Sequence, residues 1–156
     1  MIIDFRYFEN GQEKILPVDL KLFSNRVRGW YNDYLRDQSR VEKLAYEIIF
    51  IEGHIRKLIL EKPENWRADR KALMAEKKTA EDELKSIDME AIFQNMINMT
   101  ARILSDNGIN DPKFSDKEFY KDNMQGSDHK QFLDDCAVAE LSKKKAEIKQ
   151  PSTKTA

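Results

Sequence analysis

Residues 20–58, LKLFSNRVRGWYNDYLRDQSRVEKLAYEIIFIEGHIRKL, decide the fold. Leu20, Phe23, Val27, Trp30 and Tyr34 recur at steps of three and four, as do Val41, Leu44, Ile48, Ile51, Ile55 and Leu58, and Asp37 is the one polar interruption between them. That spacing keeps one face of an α-helix apolar, so the segment is helical. As a single rod it would be roughly 60 Å long at ~1.5 Å per residue, more than a small domain buries. A break near Asp37 is therefore expected, and Ser39-Arg40-Val41-Glu42 fits it, because a serine hydroxyl and a glutamate three residues on can satisfy each other's backbone donors. The reading gives two helices, about 19–37 and 40–61.

Upstream, Ile2 to Phe8 is β-branched and aromatic, and Asn10-Gly11 follows, a pair that accepts the positive φ angles of a tight hairpin turn. A β-hairpin over about 2–16 results, with Pro17 limiting the return strand. Ile3, Phe5 and Tyr7 share one strand face, and a lone hairpin is marginal in water, so that face should lie on helices.

Downstream, Lys62-Pro63 ends the second helix. Trp66 to Leu84 is mostly charged around a thin seam of Leu73, Met74, Ala80 and Leu84, which suggests a protruding helix, or one arm of a coiled-coil hairpin with 40–61. After Ser86-Ile87-Asp88 the apolar residues from Met89 to Leu104 cover more than one face, as in the most buried helix of a bundle, and Asn107-Gly108 can close it. Asp111-Pro112 and Gly126-Ser127 mark turns, Ser115-Asp116-Lys117-Glu118 reads as a second capping box, and a last helix carries Phe132, Leu133, Cys136, Ala137 and Leu141. The expected fold is mainly α: a helical bundle with a protruding helical hairpin and a short N-terminal β-hairpin. One domain spans 1–149, and 150–156, with nothing to bury, is expected to be a disordered tail.

Composition narrows the function classes. In 156 residues, 35% are charged, Lys+Arg 27 nearly cancels Asp+Glu 28, and there are only 5 Gly and 4 Pro, too few for the turns of a sandwich or barrel. A net charge of -1 gives no general attraction to nucleic acid or to an anionic membrane. Apolar runs such as Ile48-Ile49-Phe50-Ile51 are far short of a membrane span, and Asp4 and Arg6 interrupt any signal-peptide core at the start. Cys136 is the single cysteine, which suits a reducing, cytoplasmic setting.

Chemistry is sparse. The glycines at 11, 29, 53, 108 and 126 are too scattered for a phosphate loop. His54 and His129 stand in no metal or catalytic spacing, and Cys136 falls on the apolar side of its helix without a partnered histidine. No catalytic, cofactor-binding or metal-ligating residue is assigned, and the chain reads as a non-enzyme. Two interaction signals remain. Trp30, Tyr31 and Tyr34 lie close together on the first helix, and aromatics of this kind dominate binding hot spots, although they also serve to pack a hairpin onto a bundle. Met96 and Met99, in a methionine-rich helix, offer adaptable apolar contact or core filling. Lys143-Lys144-Lys145 with Lys149 and Lys154 forms a basic tail.

The order of segments is similar to that of a known family. The hairpin around Asn10-Gly11, the aromatic helices, the charged middle, Ile87-Asp88-Met89-Glu90-Ala91-Ile92-Phe93 leading to Asn107-Gly108, and Lys113-Phe114-Ser115-Asp116-Lys117-Glu118-Phe119 before a terminal helix resemble the tail assembly chaperones of long-tailed bacteriophages. The likeness is one of layout and carries over no individual residue. It implies a non-enzymatic helical protein that coats the long, aggregation-prone tape measure protein, promotes tail-tube polymerisation around it and leaves the finished particle. Many members of that family are also made in a longer, frameshifted form, and an adenine run encoding Lys143 to Lys145 would suit such slippage, although a plain solvated basic tail is the favoured reading of these lysines. The expected partner is thus the tape measure or another tail protein, with self-association allowed and no membrane or cofactor. A structural virion or adaptor subunit using a coiled-coil hairpin is the alternative, followed by a small nucleic-acid-associated regulator using the basic tail.

Overall fold

A computed structural model describes residues 1–149, and the tail expectation for 150–156 lies outside the described residues. The element order is β1 (Ile2–Glu9), β2 (Gln12–Asp19), α1 (Asn25–Glu61), α2 (Trp66–Lys85), α3 (Met89–Asp106), a 3-10 turn (Pro112–Ser115), α4 (Lys117–Asp122) and α5 (Gly126–Lys149). The mainly α architecture with an N-terminal hairpin is therefore present. The described residues fall into two compact units, 1–34 with 91–149, and Leu35–Glu90.

In the first unit β1 and β2 are antiparallel, with Phe5 opposite Leu16 and Glu9 opposite Gln12. Asn10 at φ 53 and Gly11 at φ 75 make the turn, as their residue types require. The return strand does not stop at 16 but continues through Pro17 to Asp19. A two-stranded ribbon has a free edge on each strand, so a residue without an N–H can sit there without breaking the ladder. Ile3, Phe5 and Val18 are buried, and Phe5 meets Phe114 and Phe132 edge-on with centroids 5.2 and 5.0 Å apart. The hairpin thus lies on α5, as its apolar face demands. Asn123 clips it from the side, its backbone carbonyl accepting from the Phe8 N–H at 2.6 Å and its amide donating to the Phe8 carbonyl at 3.0 Å.

The expectation of two helices, 19–37 and 40–61, is corrected: α1 is one helix of 37 residues. It begins later, because β2 and a short linker occupy 19–24, and the Ser24 hydroxyl accepts from the Val27 N–H at 3.2 Å as its cap. Asp37 and Ser39 do not break it. Neither glycine nor proline stands there, the steps of three and four resume in phase after Asp37, and both side chains reach water, so each costs only a few tenths of a kcal/mol in a helix. The length objection also fails, since the residues up to Tyr34 belong to the first unit and the rest to the second.

The α3 helix supplies Ile92, Ile97, Met99, Thr100, Ile103 and Leu104 to the buried interior, on more than one face. It ends at Gly108, φ +88, where the Ile109 N–H reaches the Leu104 carbonyl at 2.8 Å and the Gly108 N–H the Ser105 carbonyl at 3.2 Å. That is the paired closure that needs a left-handed residue. Asn107 holds this end against the hairpin's exit: its Oδ1 accepts from the backbone N–H groups of Lys21 and Leu22 at 2.7 and 2.9 Å, and its Nδ2 donates to the Leu22 carbonyl at 2.9 Å. Further on, the cap of α4 is Asp116, accepting from the Glu118 N–H at 3.1 Å, rather than the expected Ser115.

The second unit is a helical hairpin of the later part of α1 and α2. Arg40 pairs with Glu83 and Lys77 with Glu52, each at 3.3 Å, which fixes the two helices as antiparallel. Leu44, Ile51, Ile55 and Ala80 are the buried residues of its seam. Lys62 at φ 47 and Asn65 at φ 64 turn the chain between the helices on either side of Pro63.

Candidate protein-binding surfaces

Within the first unit, the start of α1 and the later turns of α5 enclose a groove of about 420 Å³. Its walls follow from helical spacing. On α1, Arg28, Tyr31 and Asn32 share a face, and on α5, Ala137, Val138, Leu141 and Lys144 do, with Phe23 closing one side. The Tyr31 hydroxyl donates to Asp134 Oδ1 at 2.7 Å, which fixes the ring in the wall. Burial, then the hydrogen bond to Asp134 and its negative charge, hold the Tyr31 phenol well above its ordinary pKa, so it stays a neutral donor. Arg28 and Glu140 brace the rim with a 2.7 Å ion pair in which both side chains are part-buried. Val138 and Leu141 nevertheless remain 62% and 56% exposed, so the groove presents apolar surface to solvent between fixed polar edges.

Of the five residues marked as partner-binding in the sequence, Tyr31 alone lines this groove. Trp30 is part-buried, and its carbonyl accepts from the Asn95 amide at 3.1 Å. Tyr34 is fully buried and stacks obliquely near Tyr31, with centroids 6.0 Å apart. Met96 is part-buried, and Met99 is fully buried in α3. As packed, Tyr34 and Met99 shape the interior rather than a surface. Leu141, read in the sequence with the apolar residues of the last helix, is exposed, as is Val138, which the sequence reading did not single out.

The titratable residues show structural roles. His129 is buried, with Nε2 at 2.8 Å from the Thr100 hydroxyl and its ring stacked on Tyr120 at 4.7 Å. Burial brings its pKa down to about 4, against a smaller opposing effect of a hydrogen bond to the Met96 carbonyl, so the ring is neutral at physiological pH. Burial, aided by the charge of Asp135, pushes the Cys136 thiol up to about 12, which makes it unreactive. In the second unit, His54 is exposed beside Phe50 in a larger groove of about 480 Å³, but Lys57, Glu61 and Asp69 line that groove with charge. Among the described residues no group of three or more His, Cys, Asp or Glu is placed to hold a metal ion, and no helix is long and apolar enough to cross a membrane. No protein-family model, no curated protein and no solved structure matches the chain.

Proposed function

We propose that this chain is a non-catalytic protein-binding protein, and that it holds a tape-measure-type protein during tail assembly, as its resemblance in layout to the tail assembly chaperones implies. The observation that carries the binding role is the groove over Tyr31, where Val138 and Leu141 stay exposed while their polar neighbours are braced. Apolar surface between fixed polar edges suits an amphipathic helix laid into it, which is how helical partners are commonly captured. A tape measure protein is long and helical, so it offers many such segments. The work would be done in the cytoplasm, the host's if the protein is viral, in keeping with a single buried thiol.

Co-expression with the tape measure protein should raise that protein's soluble yield several-fold, and the two should co-purify. Unchanged yield together with no co-purification would overturn the reading. A second reading, a structural virion or adaptor subunit, is favoured by the antiparallel hairpin of the second unit, whose α1 carries exposed apolar residues. Retention in purified particles would separate it from a chaperone, which leaves.

A further inference from the structure

The later part of α1 has two apolar faces. One, with Leu44, Ile51 and Ile55, is buried. On the other, Tyr46, Ile49, Phe50 and Leu60 are 72%, 59%, 66% and 84% exposed. At ~3.6 residues per turn this second set lies roughly half a turn round from the first, with Tyr46, Ile49 and Phe50 within one turn and Leu60 on the same side further along, beyond Gly53 and Lys57. Taking ~200 Å² for each large side chain, it leaves on the order of 500 Å² of apolar area in water, at the upper end of what a monomer tolerates.

The stripe is complementary to itself. In an antiparallel helix pair each layer joins a residue on one side of the seam to one on the other side of the partner's seam. A single register about the Ile49–Phe50 midpoint sets Ile49 against Phe50, Tyr46 against Gly53, and Glu42 against Lys57. Gly53 has nothing within 4 Å of where a Cβ would stand, so it leaves a notch on the stripe that can take the Tyr46 ring. Glu42 and Lys57 are both exposed, and this register gives each an opposite charge at the ends of the apolar layers. Apolar match, notch and charge match between 42 and 57 fall in one alignment, and Leu60 lies beyond it, opposite Ser39. We infer that this face of α1 pairs with the same face of a second copy of the chain, antiparallel and two-fold symmetric, giving a homodimer centred on Ile49 and Phe50. The two α1 helices form the joined surface, with each α2 packed on the opposite, buried face of its own α1. The inference is independent of the holding role.

The mass of the full chain in solution, measured by light scattering across a concentration series, tests it. A dimer is expected, and Phe50→Asp should raise its dissociation constant roughly 100-fold or more while circular dichroism shows unchanged helicity. Because Phe50 is exposed in the single chain, this variant is expected to fold. The register is tested by charge: Glu42→Lys and Lys57→Glu should each weaken the dimer, and the double exchange should restore it. A monomer at all concentrations would overturn the inference, as would a dimer indifferent to Phe50→Asp. A monomer whose binding to the tape measure protein is lost in Phe50→Asp would also overturn it, and would assign the stripe to that partner instead.

Discussion

Replacing Phe5 by alanine is expected to remove about 3–5 kcal/mol of stability, a large share of the ~5–15 kcal/mol that holds a typical domain together. Phe5 is fully buried and is the point where the hairpin meets the helices: its ring contacts Phe114 on the 3-10 turn and Phe132 on α5, both edge-on. Removing it leaves a cavity among rings that are themselves anchored, since Phe114 also contacts Tyr7 and Phe119. The surroundings therefore cannot collapse to fill it. Denaturant unfolding followed by near-ultraviolet circular dichroism reads the loss. A change below ~1 kcal/mol would mean the hairpin is not part of the cooperative core.

Acid should destabilise the first unit through His129. In the unfolded chain its imidazole takes up a proton near its ordinary 6.5, whereas in the folded chain burial lowers that value to about 4. The unfolded form thus binds more protons between these values. The stabilisation is fully present above about pH 6.5, is lost as pH falls toward 4, and amounts to about 3 kcal/mol from one group. His129→Gln keeps a donor toward Thr100 without a titrating ring. Its stability curve, subtracted from that of the unaltered chain, should expose the histidine's contribution as a step between pH 6.5 and 4. A flat difference would show that the ring is reached by water or pairs with charge in the folded state. The surroundings argue against that, because the ring faces the Thr100 hydroxyl, the Met96 carbonyl and the aromatic rings of Tyr120 and Phe93.

Local rules made much of this fold legible. Asn10-Gly11 announces the hairpin, Pro63 the end of α1, Asn107-Gly108 the end of α3, and the multi-faced apolar run after Met89 the buried helix. Errors arose where tertiary context decides. Asp37 looked like a break because helix length was judged against one core, but α1 belongs to two compact units. Pro17 looked like a strand end, although a two-stranded ribbon tolerates it. Tyr31, Trp30 and Tyr34 lie close in sequence, yet only an observed neighbour can sort them: Asp134, on α5, sets Tyr31 into a groove wall, while Tyr34 is enclosed. The outer stripe of α1 was available in the spacing of Tyr46, Ile49, Phe50 and Leu60, but the stronger pattern through Leu44, Ile51 and Ile55 masked it.

The central claim is that the chain acts by holding a protein in the groove between the start of α1 and α5. Its most direct test is the affinity of the purified chain for a helical segment of the tape measure protein, compared with that of a Val138→Lys, Leu141→Lys double variant. Both side chains are exposed, so the variant should keep its fold and melting temperature. The account predicts that the unaltered chain binds and that the variant binds at least about 10-fold more weakly, because two lysines replace apolar contact at the groove's mouth. Equal affinity of the two proteins, or no binding by either, would contradict it.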